Sequence, residues 1–430
     1  YLFLKKIKFE NFKNIINIKN LELKNNKIVK LDSANISLIN ENKFLNQLSI
    51  ISKNQDFQLI GKRFDVQPIL NKISKDNREN NLFDHFENLN SNIFINKNYN
   101  LTILKMNKYS ITAIHPGDIA VLQRQELNLS KLNDKEILIK NHSIGVNFID
   151  IYFRKGLYPW PVENNLILGS EASGVVEDIG SNVSKFKIGD RVAYAQPNNA
   201  YATHRILSED LIVSIPENIS FEQAASSMLK GLTVRYLLRD SFNLKPEHTV
   251  LFHAAAGGVG LIAGQWMNHI GCSTIGTAGN SDKCNLAKNY GYQNMINYSE
   301  KNFLEEVLSL TNNLGVDVVY DSVGKDTMFN SFKALKRHGT VVSFGQSSGA
   351  YTDLQMTDLA FGSFHLTRPT LFHFYANRNW LENASAELFE LISSEKVKLD
   401  QVTKYPLENV AQAHTDIENR KTTGSVILEI

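Results

Sequence analysis

Two cysteines in 430 residues, Cys272 and Cys284, are too few for a disulfide framework or a Cys-rich zinc lobe. No apolar run approaches the roughly 18 residues of a membrane span, and the opening YLFLKKIKFE lacks the h-region of a secretion signal. Charge of either sign is scarcely in excess, with a formal net of +2, so the chain as a whole carries no nucleic-acid footprint. The eleven histidines are scattered and none forms H-E-x-x-H. These absences suit a reducing compartment, and the cytoplasm is the expected location. The length allows two or three domains with sizeable cores.

The first hundred residues are poor in something else. They hold one glycine and one proline against 21 Asn, 16 Lys+Arg and 10 Asp+Glu, a bias that weakens a globular-core reading. Alternation persists in INIKNLELKNNKIVKLDSANISLI and FLNQLSIISKNQDFQLIGKRF, which read as short amphipathic strands. The polar stretch 71–92 then reads as a linker, and Met106 as an original start. Residues 1–105 resemble the β-ladder of AsmA-like envelope proteins, notably in KRFDVQPIL; a passive or accidental fusion is the expected account.

What is present in the rest begins with FHAAAGGVG at 252–260. An apolar β-type run, Thr249–Leu251, precedes it and a helical pattern, Leu261–Ile270, follows. A strand, a glycine-rich turn and a helix in that order make a phosphate cradle, because the free N–H groups and the dipole of the helix start attract an anion. Ala255, Gly257 and Gly260 occupy the three positions of G-x-G-x-x-G, with alanine in the first. Further strands are expected at Ser273–Thr277, Met295–Tyr298, Val316–Asp321 and Thr340–Phe344. Helices at Ser281–Tyr290, Asn302–Leu310 and Thr327–Lys336 would separate them. Strands alternating with helices at this interval imply a doubly wound parallel sheet, an α/β fold whose ligand lies at the carboxyl ends of the strands. Residues 106–215, rich in Val, Ile and Tyr with glycine turns, read as a small β-barrel.

From Met106 onwards the sequence resembles the zeta-crystallin-type quinone oxidoreductases of the medium-chain dehydrogenase/reductase superfamily, and the bacterial ones most closely. The stretches that carry this are GVNFIDIYFRKGLYP, LGSEASGVVEDIGSNVSKFKIGDRVAY, SFEQAASSMLKGLTVRYLL, LFHAAAGGVGLIAGQW, VVYDSVG, VVSFGQSSGA and LTRPTL. The resemblance implies a GroES-like catalytic domain from 106–231 and 372–430, with a Rossmann NADPH-binding domain at 232–371 between them. It also implies a homodimer. The zinc relatives carry Cys where this chain has Asn147 and His where it has Ser170, so no metal is expected. A conjugated acceptor, a quinone, spreads the developing charge and needs no strong Lewis acid.

By the same resemblance Tyr152 would donate to the substrate oxygen and Asn147 would orient the nicotinamide end. Cofactor contacts would run over Asn147, Phe148, Ile149, Asp150, Ile151 and Tyr152, then Tyr236, Gly257, Gly258 and Val259. They would continue with Gly279, Asn280, Ser281, Asp282, Lys283, Tyr298 and Val323. Gly345, Gln346, Ser347, Ser348, Pro369, Thr370, Leu371 and Arg420 complete the set. Tyr158, Lys230 and Arg368 could rim the cleft or be structural. NADPH is expected over NADH: no acid sits at the tip of the second strand, and Lys283 follows it. The alternatives are reduction of enones or 2-alkenals by the same hydride chemistry and, more distantly, the single-stranded nucleic-acid binding or structural role of some zeta-crystallin relatives.

Overall fold

The computed structural model describes residues 108–430 throughout. Before them it describes backbone strands alone, and the chain divides into two compact units, Tyr1–Asn107 and Lys108–Ile430. In the first unit Leu2–Asn11, Asn14–Lys24, Ser33–Ile39, Leu45–Lys53 and Asp56–Ile60 form an antiparallel sheet in chain order. Lys27–Lys30 pairs with the second of them, and Ser91–Ile95 with Leu101–Lys105 as a hairpin. The linker expected over 71–92 lies outside the described residues up to Asn90, as does Met106.

In the second unit a β-rich layer comes first. The eleven-residue strand Glu136–Val146 is its axis. Along one edge it pairs with Glu171–Ile179; along the other it takes His204–Ser208 on its first half and Ser425–Glu429 on its second. The chain therefore returns from its far end to finish the barrel. Alternation does the sorting: Ile137 and Ile139 are fully buried while their neighbours are partly exposed, and they pack with Ile144, Val192 and Tyr194 in one core.

The second layer is a six-stranded parallel sheet. Its order is Asn294–Asn297, Ser273–Ala278, Thr249–Phe252, Val316–Asp321, Leu335–Ser343, His365–Thr367. This is the 3-2-1-4-5-6 order of a doubly wound sheet, whose switch point lies beside the first strand. All six residues of Val316–Asp321 are buried, as a strand covered on both faces requires. Its residues divide between two cores, Val318 and Tyr320 with Val250 and Phe252 on one side, Val319 with Leu251 on the other.

The strands read from sequence are all present, with ends shifted by a few residues at most except for the fifth, which begins earlier at Leu335. The helix expected through Lys336 stops at Lys333 because Leu335 already pairs with Val316. The short sixth strand was not expected. The junction drawn at residue 231 falls inside one helix, Phe221–Tyr236, capped by Ser220 and Gln223, which bond to each other's backbone N–H at 3.1 and 2.9 Å.

Candidate active site

A cavity of about 850 Å³ lies against both layers of this unit. Its walls come from the helix Phe148–Arg154, the Phe221–Tyr236 helix, the glycine turn, the strand ends near Gly279 and Gly345, and the C-terminal return at Arg420–Gly424.

The turn is built to present N–H groups. After Phe252 the chain reverses through Ala254, which takes the left-handed φ of 57°. Gly257 caps the helix Gly258–Ile270 with no side chain to accept from it. The first-turn N–H groups are thus left for an anion. Two glycines are fixed by contact: a Cβ at Gly258 would stand 3.0 Å from the Gly424 carbonyl oxygen, and one at Gly260 2.5 Å from that of Ala255. Gly257 forms an isolated bridge with Gly424, joining the turn to the C-terminal return.

At one end of the cavity stands the short helix Phe148–Arg154. The Asp150 carboxylate caps it, accepting from the Asn147 N–H at 2.9 Å. It also accepts from Ser170 Oγ at 2.6 Å and Tyr201 Oη at 3.0 Å. Complete burial pushes Asp150 up to about 6, against the pull of these hydrogen bonds. Tyr152 is buried and faces the cavity. Its oxygen accepts from the Gln346 N–H at 3.1 Å, which leaves its own hydrogen to donate. Burial pushes its hydroxyl up to about 12, so it keeps its proton at neutral pH. Tyr158 packs 5.3 Å from its ring, and Arg368, anchored to Gly345 O at 3.0 Å, borders the same space.

At the other end are Lys283, Tyr298 and Arg420. Lys283 Nζ donates to the Arg420 carbonyl at 2.6 Å, and the Arg420 guanidinium to Tyr298 Oη at 3.4 Å. Partial burial and then the Arg420 charge pull the Lys283 pKa down. Asn280 Oδ1 accepts the Lys283 N–H at 2.8 Å and so caps the helix Ser281–Asn289; Asp282 is exposed in its first turn.

Of the residues read from sequence, Asn147, Phe148, Ile149, Tyr152, Tyr236, Gly257, Gly258 and Val259 border the cavity. So do Gly279, Lys283, Tyr298, Val323, Gly345, Ser347, Pro369, Thr370, Leu371 and Arg420. Seven do not. Asp150 lies behind the wall and Ile151 is in the barrel core. Asn280, Ser281 and Asp282 are exposed beside the cavity. Gln346 acts through its backbone, and Ser348 ties its loop to Val323 O at 2.8 Å. Sequence reasoning gave no part to Lys301, Asn302 or Asn330, which border the cavity. Nor did it use Glu171, which is fully buried and accepts from Asn147 Nδ2 at 2.9 Å. Its signal was a charge set among small residues in LGSEASGVV, where a buried carboxylate must have partners.

The two side chains at the zinc-ligand positions are engaged elsewhere, Asn147 with Glu171 and Ser170 with Asp150. Among the described residues no group of three or more His, Cys, Asp or Glu is placed to hold a metal ion.

The family model for the alcohol dehydrogenase GroES-like domain matches residues 133–216, and that for zinc-binding dehydrogenase matches 258–393. Neither reaches residues 1–105, so the AsmA-like resemblance gains nothing from them. The chain is 46% identical over 316 residues to quinone oxidoreductase 1 of Escherichia coli, covering 73% of this chain and 96% of that one. It is 36% identical to a 2-haloacrylate reductase of a Burkholderia species, over 71% of this chain and 93% of the other. Among solved structures, the Escherichia coli quinone oxidoreductase complexed with NADPH superposes with a TM-score of 0.72 at 44% identity. That superposition covers 75% of this chain and all of the other.

Proposed function

Because the chain belongs to the quinone oxidoreductase family of the medium-chain dehydrogenases/reductases, we infer that it reduces a quinone with NADPH, without zinc. The observation that carries this is one cavity bordered both by Lys283, Tyr298 and Arg420 and by Tyr152 with its proton unspent. NADPH, when bound, supplies the hydride. The chain's own residues do the rest.

The N–H groups at the start of Gly258–Ile270 fit the pyrophosphate. Lys283 and Arg420 supply two cations, and Tyr298 a hydroxyl, for a ribose 2′-phosphate, and no carboxylate at the strand tip opposes it. Asn147 orients the nicotinamide end. Tyr152 donates to the substrate oxygen on which charge gathers; conjugation spreads that charge, so one neutral hydrogen bond suffices. Phe148, Tyr152 and Tyr158 give that end apolar, water-excluding walls. The remaining residues named above as bordering the cavity are the proposed cofactor contacts, and 106–231 with 372–430 and 232–371 the proposed domains.

The reading extends to assembly and location. A homodimer is supported by the edge strand His365–Thr367, paired on one side among the described residues, and by the exposed Met356 and Phe361 (80% and 94%) in the segment that precedes it. Cytoplasmic residence is supported by two free buried cysteines and no disulfide. No helix of the described residues is long and apolar enough to cross a membrane.

A second reading, reduction of an activated alkene, is favoured by the likeness to 2-haloacrylate reductase. Comparing kcat/KM across a set of quinones and a set of 2-alkenals, with NADPH saturating, separates the two. Quinones should be turned over faster; a reversed ranking assigns the site to alkenes.

A further inference from the structure

Beside Asn147 sits an ion pair that the chemistry above does not use, its lysine bordering the cavity and its glutamate behind the wall. Glu171 opens the strand Glu171–Ile179 and has no exposed surface; Lys230, on the Phe221–Tyr236 helix, is 4% exposed. Lys230 Nζ lies 2.5 Å from Glu171 Oε1, the same oxygen that accepts from Asn147 Nδ2 at 2.9 Å. The other oxygen, Oε2, accepts the Leu229 N–H at 2.6 Å. Every hydrogen-bond partner of this carboxylate is a donor, although the Asp150 carboxyl is near enough to repel it. Two glycines make room for the pair. A Cβ at Gly145 would stand 2.1 Å from Glu171 Oε1, and one at Gly258 would stand 2.9 Å from Lys230 Cδ. Gly258 is also the first residue of the phosphate-facing helix. The pair therefore ties the barrel, the long helix and the dinucleotide turn together at one point.

We propose that Glu171, held by Lys230 and the Leu229 N–H, is the positioning residue that fixes which way the Asn147 amide faces the cavity; this rests on the role given to Asn147 above. A carboxylate only accepts, so it binds the Nδ2 edge of the amide and leaves Oδ1, on the capping side toward the Asp150 N–H, with a lone pair to accept from the ligand. That oxygen can accept from a ribose hydroxyl or a carboxamide N–H. Glutamate is the side chain that satisfies both sides of this contact. A glutamine in its place has one accepting and one donating edge, yet donors stand on both sides. It must set its N–H2 against the Leu229 N–H or against Asn147 Nδ2. In the second case Asn147 flips and presents a donor where an acceptor is required.

The test is a double-mutant cycle in the full-length protein. Glu171→Gln is expected to weaken NADPH binding about fivefold, titrated by nucleotide fluorescence with no acceptor present, and to slow quinone reduction about tenfold. Asn147→Ala should lose a similar amount. Glu171→Gln added to Asn147→Ala should then change either quantity by no more than about twofold. If the Lys230 ammonium, buried without a counter-charge, unfolds the single variant, Glu171→Gln with Lys230→Met removes both charges and enters the same cycle. Losses that multiply in the Asn147→Ala background overturn the positioning role and leave Glu171 as a structural ion-pair member. An Asn147→Ala protein with NADPH affinity and rate intact overturns the assignment of Asn147, and this proposal with it.

Discussion

Replacing Lys283 by alanine should cost the enzyme NADPH and spare NADH. The Lys283 ammonium is half-buried, borders the cavity and reaches the Arg420 carbonyl at 2.6 Å, in a cluster completed by Tyr298. A hydrogen bond to a charged group contributes about 1.5–3 kcal/mol. Solvent screening at a half-exposed position roughly halves that, to about 0.8–1.5 kcal/mol. At about 1.4 kcal/mol per decade the KM for NADPH should rise about fourfold to twelvefold. NADH carries no 2′-phosphate, so its KM should move less than about twofold. The assay is initial rate at fixed quinone with each nucleotide, repeated at low and high salt. The NADPH preference of the unaltered protein should shrink as salt rises, and that of Lys283→Ala should start smaller and shrink less. Equal losses with both nucleotides, or a preference for NADH before any substitution, would rule out a 2′-phosphate site at Lys283.

Tyr152→Phe should slow quinone turnover about tenfold, or roughly 1.4 kcal/mol, with NADPH affinity unchanged; an unaltered rate assigns the hydroxyl to packing. Activity should survive prolonged chelation, since Asn147 and Ser170 are committed to Glu171 and Asp150; stoichiometric zinc by elemental analysis, with activity lost on its removal, would count against a metal-free site. Burial raises Asp150 from 3.8 to about 6, so the folded state binds its proton more tightly than the unfolded chain does. Its contribution to stability is then full below about pH 4 and is lost as pH rises through 6. Measured by urea unfolding against Asp150→Asn, the difference should fall by up to about 3 kcal/mol across that window. A difference that grows with pH would contradict the assignment.

The parallel sheet was legible because its strands are short apolar β-type runs and its turns are bare. Val316–Asp321 was read to the residue. His365–Thr367 was not, since three residues beginning with an exposed histidine carry no period; only pairing with Thr340–Val342 makes them a strand. At the site, Phe148 to Tyr152 form a helix, so a contiguous block of sequence does not make a contiguous set of contacts. Three and four residues apart, Phe148, Ile149 and Tyr152 share the face that borders the cavity, whereas Asp150, Ile151 and Arg154 share the buried one. Lys283 and Arg420 could be named from family motifs, but their meeting depends on the C-terminal return passing beside the second strand. Glu171 was missed because the value of a buried carboxylate lies in donors brought to it from elements far apart in sequence, here Asn147 and Leu229–Lys230.

A single anaerobic turnover shows whether one cleft passes a hydride from NADPH to a quinone without metal. Chelator-treated full-length protein, loaded with one equivalent of NADPH, is mixed with excess quinone while the nicotinamide absorbance band is followed. One hydroquinone should appear for each NADPH lost, at a rate lowered about tenfold by Tyr152→Phe. NADPH loss no faster than without protein, or loss that requires added zinc, would contradict metal-free transfer in this cleft.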